Sequence, residues 1–216
     1  FVPATAMVCE TASIGSNTII QPGCFIGNNV TIGKDCLIHA NVVLYDHTVI
    51  GDRVVIHSGS ILGADAFYYK KRPEGFDPLQ SSGRVLIEDD VHIGAACTID
   101  KGVSGDTTIK KGAKLDNQVH IGHDSVIGKD CLIASQVGVA GCVNIEDGVT
   151  IWGQAGITSA ITIGAGSVIS AQSGVSKSLE GGKSYFGTPA EEFRKKYKEL
   201  AALRQLPEVV EQLKKK

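Results

Sequence analysis

Two residues spaced eighteen positions apart, His123 and Gly141, could together carry out acyl chemistry. An imidazole is suited to proton abstraction near neutral pH. A glycine leaves its backbone N–H approachable, as a donor to a developing oxyanion must be. The attack of an amine on a thioester requires such a base and such a donor, but no metal ion or organic cofactor. We therefore predict His123 as a general base, Gly141 as an oxyanion donor, no metal site and no cofactor.

A six-residue repeat must position these two residues. An aliphatic residue recurs at every sixth position, and a glycine or another small or polar residue often follows it. This period is typical of a parallel β-helix, in which each repeat forms one short strand and a turn and three repeats close a triangular coil. Residues eighteen apart then lie one above the other, so Gly141 is predicted to stack on His123. The repeat residues in the two longest runs are Val2, Val8, Ile14, Ile20, Ile26, Ile32, Ile38, Leu44, Ile50, Ile56, Leu62, and Ile109, Leu115, Ile121, Ile127, Ile133, Val139, Ile145, Ile151, Ile157, Ile163, Ile169, Val175.

The repeat is interrupted twice. The first interruption, about residues 67–84, is rich in aromatic and basic residues and is predicted to leave the prism as a loop. Loops on rigid scaffolds commonly carry function, so this one could contact a nucleotide, or it could simply cover a neighbouring subunit. The second interruption lies between Ile99 and Ile109 and is predicted to shape the wall of a nearby cleft.

The repeat fades after Val175, which divides the chain into a β-helix over residues 1–187 and a helical extension over residues 188–216. Thr188, Pro189 and Glu191 match the pattern of a helix start, and Pro207 is predicted to separate a second short helix over residues 208–215. From Lys183 onward nine basic residues face five glutamates, which gives this end a net charge of +4. Such a helix could dock an acidic partner or be a solvated surface.

Composition excludes several classes of function. Lys plus Arg (21) against Asp plus Glu (23) gives a net charge of −2, so no overall basic field points to a nucleic-acid partner. No apolar run is long enough to predict a membrane span. Four of the six cysteines occupy the small-residue slot of the repeat and are predicted to be buried rather than disulfide-bonded, which favours a reducing compartment: Cys24, Cys36, Cys97 and Cys131.

Beyond the repeat, four longer stretches are similar to one enzyme family. They are residues 56–65, 98–102, 115–123 and 136–141, and the Gly-Thr-Pro at 187–189 also fits. The chain resembles the left-handed β-helix acyltransferases, and among them the UDP-3-O-(3-hydroxyacyl)glucosamine N-acyltransferases of lipid A biosynthesis. The resemblance implies an all-β, left-handed fold and a homotrimer with active sites between adjacent prisms. It also implies a cytoplasmic location, an acyl-carrier-protein thioester as donor and a UDP-sugar amine as acceptor.

The family's catalytic histidine and oxyanion glycine match His123 and Gly141. Near them, Asp116 and Asn117 could bind sugar hydroxyls or orient the base, although an asparagine in a turn often satisfies its own backbone. His120 is assigned to substrate binding and not as a second base, because the family often has glutamine there. Asp124, assigned to substrate binding as well, stands where asparagine is common.

Two departures from the family pattern leave alternatives open. Ala160 occupies the position of a second family histidine, which removes an expected contact to the hydroxyl of the acyl chain. The family also carries an N-terminal uridine-binding domain, whereas this chain begins at Phe1 in the first coil. Either that domain has been removed, or the chain is a short relative that recognises its acceptor differently. Two other interpretations of the chain stay open. It could be a nucleotide-sugar acetyltransferase that uses acetyl-CoA, or a catalytically silent β-helix scaffold.

Overall fold

The computed structural model describes residues 1–214 and shows a left-handed parallel β-helix followed by one α-helix. Each six-residue repeat forms a short strand and a turn, and the strands stack into three sheets, which are parallel except for the last strand of sheet 3. Sheet 1 contains Met7–Val8, Phe25–Ile26, Val43–Leu44, Ile61–Ala64, Thr98–Asp100, His120–Ile121, Gly138–Val139, Gly156–Ile157 and Gly174–Val175. Sheet 2 contains Ser13–Ile14, Thr31–Ile32, Val49–Ile50, Arg84–Ile87, Asp106–Ile109, Val126–Ile127, Asn144–Ile145 and Thr162–Ile163. Sheet 3 contains Ile19–Ile20, Leu37–Ile38, Val55–Ile56, His92–Ile93, Lys114–Leu115, Leu132–Ile133, Thr150–Ile151, Val168–Ile169, Ser184–Phe186 and Glu191–Glu192.

The predicted aliphatic residues form the core. From Ile20 to Val175 every repeat position is buried, and most have no exposed surface. Burial of an aliphatic side chain of this size contributes about 1.5–3 kcal/mol relative to exposure. The first coil differs: Val2 is 44% exposed, and Val8 and Ile14 are only partly buried. They are less buried because only one neighbouring coil covers the end of the prism.

The register confirms the eighteen-residue spacing around the candidate site. His120 pairs with Gly138, and Ile121 pairs with Val139. Each coil is hydrogen-bonded to the next, so a turn residue lies directly beside its counterpart one coil later. His123 and Gly141 are therefore neighbours at the corner between sheet 1 and sheet 2.

The four cysteines of the small-residue slot are buried and free, as predicted. They also donate weak hydrogen bonds, as the Cys97 thiol does to the Asp116 carbonyl oxygen at 3.1 Å. The Ser60 hydroxyl, which occupies the same slot of the repeat, donates in the same way to the Gly94 carbonyl oxygen. Burial raises the pKa of the Cys131 thiol to about 11. These thiols therefore behave as inert packing groups.

The first interruption is an antiparallel β-hairpin that projects from the corner between sheets 1 and 2. Its strands are Tyr69–Arg72 and Gly75–Pro78, and every residue in them is exposed. Its end differs from the prediction, because Arg84 already belongs to the strand Arg84–Ile87 and bonds to Asp106 of the next coil.

The C-terminal extension differs from the prediction in two places. Thr188 and Pro189 form a turn instead of a helix start, because Glu191–Glu192 pairs antiparallel with Tyr185 and Phe186 before the helix begins. The helix then runs unbroken from Phe193 to Lys214 with Pro207 inside it. The missing N–H of Pro207 removes one hydrogen bond, but strong helix formers on both sides keep the helix continuous. The last residue of the predicted second helix, 215, lies outside the described residues.

None of the helix side chains is buried in the described residues. No helix in this part of the chain combines the length and apolar character that crossing a bilayer would require.

Candidate active site

A groove of about 1030 Å³ runs along the outer face of sheet 1 beside the corner that carries His123. Its floor is a row of glycines at outward-facing strand positions, Gly138, Gly156 and Gly174, which are paired in register. A Cβ atom added at Gly138 or Gly156 would meet nothing within 4 Å. The fold therefore does not require glycine at these two positions, and their lack of side chains is what opens the groove.

His123 is held by the residue that follows it. Its Nδ1 lies 2.9 Å from Oδ2 of Asp124, and the histidine side chain is only 14% exposed. A carboxylate at this distance accepts the Nδ1 proton, so the lone pair of the neutral ring lies on Nε2. Nε2 points towards Gly141 in the groove: a Cβ atom built on Gly141 would lie 2.4 Å from it. The arrangement is that of a base oriented by a carboxylate.

Asp124 is itself fixed by the second interruption of the repeat. Its oxygens accept hydrogen bonds from the amides of Val103 at 2.8 Å and Gly105 at 3.1 Å. Burial acts to raise the pKa of the Asp124 carboxyl, but these amides and His123 outweigh it, so the net pKa lies below its usual value. Asp124 therefore stays ionised near neutral pH. The second interruption, predicted to shape a cleft wall, contributes the amides that hold this carboxylate, and the geometry gives Asp124 a positioning role.

The amide of Gly141 is uncapped. At the same corner of the first coils, a carboxylate of the next coil accepts the backbone N–H, as Asp46 does for Asn28 at 2.7 Å. The equivalent turn after sheet 2 shows the same bond between Lys34 and Asp52. The counterpart one coil after Gly141 is Ser159, and within residues 1–214 no acceptor is bonded to the Gly141 N–H. A free amide next to the base is available to a developing oxyanion.

The other predicted residues divide between two places. His120 lines the groove, with Nδ1 2.8 Å from the Thr98 hydroxyl. Asp116 and Asn117 lie at the corner between sheets 3 and 1, on the opposite edge of sheet 1, and do not line it. Their side chains accept local backbone bonds, Asp116 from Asn117 at 2.7 Å and Asn117 from Ala95 at 2.7 Å. Substrate binding by these residues stays a prediction, and within one protomer His120 alone has the position for it.

Several groove residues could not be assigned from the sequence. Asp100 lies in the groove, and its Oδ2 is 3.9 Å from His120 Nε2. Burial raises the pKa of the Asp100 carboxyl, although His120 and His123 oppose this. Tyr68 covers the base, with 5.6 Å between the ring centroids of Tyr68 and His123. The resemblance already singled out the stretch that contains Asp100, and that was the one available signal.

One group of side chains could hold a metal ion in the described residues. Ligand atoms of His123, Asp124 and Cys142 lie within 4.8 Å of one another. The Asp124 carboxylate already accepts hydrogen bonds from His123 and two backbone amides, which favours positioning over metal ligation. Cys142 is exposed at the rim of the groove. Partial desolvation of its thiol by the groove wall, and then the charge of nearby Asp124, raise the pKa of this thiol.

Two families built from hexapeptide repeats match the chain. The bacterial transferase hexapeptide family (six repeats) matches residues 29–64 and 106–141. The hexapeptide repeat of succinyl-transferase matches residues 11–46 and 84–106. Together these ranges cover more than half of the 216 residues.

The similar curated proteins include several UDP-3-O-acylglucosamine N-acyltransferases, which confirms the predicted resemblance. One from Methylobacterium sp. (strain 4-46) is 39% identical over 144 residues, 67% of this chain and 41% of that protein. One from Oleidesulfovibrio alaskensis is 50% identical over 153 residues, 71% of this chain and 45% of that protein. The chain thus spans less than half the length of these relatives.

Among solved structures, the UDP-N-acetylglucosamine acyltransferase of Francisella novicida superposes with a TM-score of 0.80 at 28% identity. The match covers 88% of this chain and 68% of that one. The likeness therefore extends over nearly the whole β-helix.

Proposed function

Since the chain belongs to the hexapeptide-repeat transferases, we propose that it transfers a 3-hydroxyacyl chain from an acyl-carrier-protein thioester to the 2-amino group of a UDP-3-O-acylglucosamine. One observation carries the proposal: the oriented pair of His123 and Asp124 and the uncapped amide of Gly141 meet at one end of a glycine-floored groove. The names of the similar curated proteins supply the acceptor class.

The geometry supports a mechanism in which the protein supplies a base and an oxyanion donor. The acceptor amine attacks the thioester carbonyl while Nε2 of His123 takes a proton from the nitrogen. The carbonyl oxygen becomes an oxyanion that the Gly141 N–H stabilises. The C–N bond forms in this attack. Collapse of the intermediate restores the carbonyl and breaks the C–S bond, and the proton on His123 passes to the leaving thiolate. Asp124 stabilises the imidazolium that exists between the two proton transfers.

The groove supports a long acyl donor in preference to an acetyl group. Glycines keep the outer face of sheet 1 open for three coils beyond His120, and the groove ends at Thr188 and Pro189. An acetyl group would leave most of this length empty. A long hydrocarbon chain would instead fill the groove, and each buried methylene group would stabilise the complex by about 0.8 kcal/mol.

The partners belong to the same proposal. The carrier protein docks on the basic helix Phe193–Lys214, whose exposed lysines and arginines suit an acidic surface. The protein acts in the cytoplasm as a homotrimer, in which Asp116 and Asn117 of one protomer reach the site of the next.

The first test measures thioester consumption with UDP-3-O-acylglucosamine, comparing 3-hydroxyacyl-carrier-protein with acetyl-CoA, and identifies the product by mass. Carrier-protein-dependent amide formation is expected. If acetyl-CoA were the only donor consumed, the alternative interpretation as an acetyltransferase would replace this proposal. No turnover with either donor would contradict the proposal for this chain.

Narrowing the groove should select against long donors. Gly156→Leu places a side chain in open space on the groove floor, so the fold is expected to tolerate it. The leucine side chain would displace several methylene groups of a long acyl chain from the groove, and each displaced group loses about 0.8 kcal/mol of burial. At about 1.4 kcal/mol per factor of ten, the ratio of kcat/KM for a long acyl donor to that for a short one should fall by about tenfold to a hundredfold. Asn144→Leu, exposed on the outer face of sheet 2, is the matched control and should leave the ratio unchanged. An unchanged ratio in Gly156→Leu would place the acyl chain elsewhere.

Alkylation of Cys142 should block the same groove. Treatment with N-ethylmaleimide is expected to abolish acyl transfer, whereas Cys142→Ser should retain activity and be inactivated about tenfold more slowly. Because the pKa of this thiol is raised, the rate of inactivation should climb with pH into the alkaline range. Equal sensitivity of the two proteins would mean that another cysteine, such as the half-buried Cys9, controls inactivation.

A further inference from the structure

The hairpin carries an aromatic surface that the acyl-transfer chemistry does not use. Phe67 is 83% exposed and Phe76 is 68% exposed, with Tyr68 and Tyr69 about half exposed beside them. These four rings alone line a cleft of about 560 Å³. Clefts of this size and apolar character are the usual form of small-molecule sites.

The register of the hairpin gives it two chemically different faces. Tyr69 lies opposite Pro78, and Lys71 lies opposite Phe76, so these four side chains share one face. The other face carries Lys70 opposite Asp77, and Arg72, whose Nε lies 2.8 Å from Asp77 Oδ2.

The aromatic face therefore includes one cation, Lys71. No carboxylate pairs with it among residues 1–214, and it lies directly across from the ring of Phe76. An unpaired ammonium beside an aromatic cleft is suited to a ligand that has both a flat ring and a negative charge.

The cleft and the groove are continuous. Phe67 and Tyr68 line both of them, and Tyr68 contacts the ring of His123. The groove extends from His123 towards the later coils, whereas the hairpin leaves the prism after the strand Ile61–Ala64, on the side of the earlier coils. A molecule that presents an amine to His123 while an acyl chain fills the groove would thus extend towards the hairpin.

We propose that this aromatic face binds the nucleoside diphosphate of the acceptor, with the base stacked against Phe76 and Tyr69 and a phosphate paired with Lys71. The identity of the acceptor rests on the proposed function, whereas the stacking surface and the unpaired charge do not. Base stacking on aromatic side chains tolerates any base, so the hairpin supplies affinity without selecting one base over another.

The test is calorimetric titration of the full chain with UDP, UMP and uridine, comparing Lys71→Ala with Lys70→Ala. These lysines are adjacent, equally charged and on opposite faces. Lys71→Ala should raise Kd for UDP by about fivefold to tenfold and leave Kd for uridine nearly unchanged, because only the charge contact is lost. Phe76→Ala should raise Kd for all three ligands by about fivefold or more. Lys70→Ala should bind all three as the parent does.

Equal effects of the two lysine changes would show unspecific attraction and overturn the proposal, as would the absence of saturable UDP binding. A change in oligomeric mass with unaltered UDP affinity would overturn it too, because the hairpin would then be a contact between copies of the chain. The titration needs no turnover, so it separates the two proposals. Specific UDP binding without acyl transfer would contradict only the proposed function. Acyl transfer whose KM for the acceptor is unchanged in Lys71→Ala and Phe76→Ala would contradict only this inference.

Discussion

Replacement of His123 by alanine is expected to lower kcat by about two to four orders of magnitude, because general-base catalysis typically supplies that factor. The fold should be unaffected, since His123 is a turn residue outside the aliphatic core. The measurement is steady-state amide formation at saturating donor, with thermal unfolding of parent and variant compared in parallel. A nearly normal rate in a folded variant would exclude His123 as the base.

His120→Ala is the matched control for this change. Both imidazoles face the same groove, but His120 bonds to a threonine hydroxyl. Among residues 1–214 no carboxylate lies within hydrogen-bond distance of His120, and Asp100 is 3.9 Å away. Loss of the His120 ring should mainly raise KM for the acceptor and leave kcat within about tenfold of the parent. This is the pattern expected when a residue binds the substrate and the transition state equally well. A collapse of kcat in His120→Ala and not in His123→Ala would reverse the two roles.

The stacking of the site could be predicted because the repeat fixes it. In a β-helix the same six-residue period decides which residue points inward and which residue is its neighbour one coil later. The position of Gly141 beside His123 therefore followed from counting eighteen residues, and the paired register of Ile121 and Val139 confirms it. Few folds convert sequence distance into spatial distance so directly, and the prediction succeeded for that reason.

Residues outside the repeat could not be placed in this way. The role of Asp124 depends on the amides of Val103 and Gly105, which lie in an interruption with no periodic register. The hairpin faces depend on a strand pairing that the aromatic and basic composition alone does not reveal. At the C-terminal end the helix-start pattern did not predict the structure, because Glu191 and Glu192 pair with the strand Ser184–Phe186 before the helix begins.

Periodicity also does not predict which residues would share a site in the proposed trimer. Asp116 and Asn117 illustrate the point, because the sequence places them only one repeat before His123. Since three repeats make a coil, one repeat corresponds to one side of the triangle, and the two sets of residues occupy different corners. Closeness in sequence within a β-helix therefore separates side chains that a spacing of eighteen would bring together.

Addition of one methyl group at Gly141 should lower kcat by about a hundredfold, because displacement of a catalytic group by about 1 Å can cost that factor. A Cβ atom there would lie 2.4 Å from Nε2, 2.6 Å from Cε1 and 2.8 Å from Cδ2 of His123. Such distances cannot be tolerated, and the imidazole must turn away from the groove. Rotation of the imidazole would strain the hydrogen bond that the ring makes to Asp124 at 2.9 Å. The variant Gly141→Ala should therefore fold and bind the acyl donor but transfer it slowly.

Gly156→Ala makes the same chemical change on the groove floor, away from His123, and separates two explanations for the effect expected at Gly141. Its added Cβ would meet nothing within 4 Å, so the positions of His123 and of the free amide are unchanged. We expect kcat for a short acyl donor to stay within about twofold of the parent, because the added methyl group narrows the groove without reaching the reacting atoms. If both variants slowed equally, the effect would come from narrowing of the groove or from the backbone and not from the contact with His123. Full activity of Gly141→Ala would contradict the predicted displacement of His123 by the added Cβ atom.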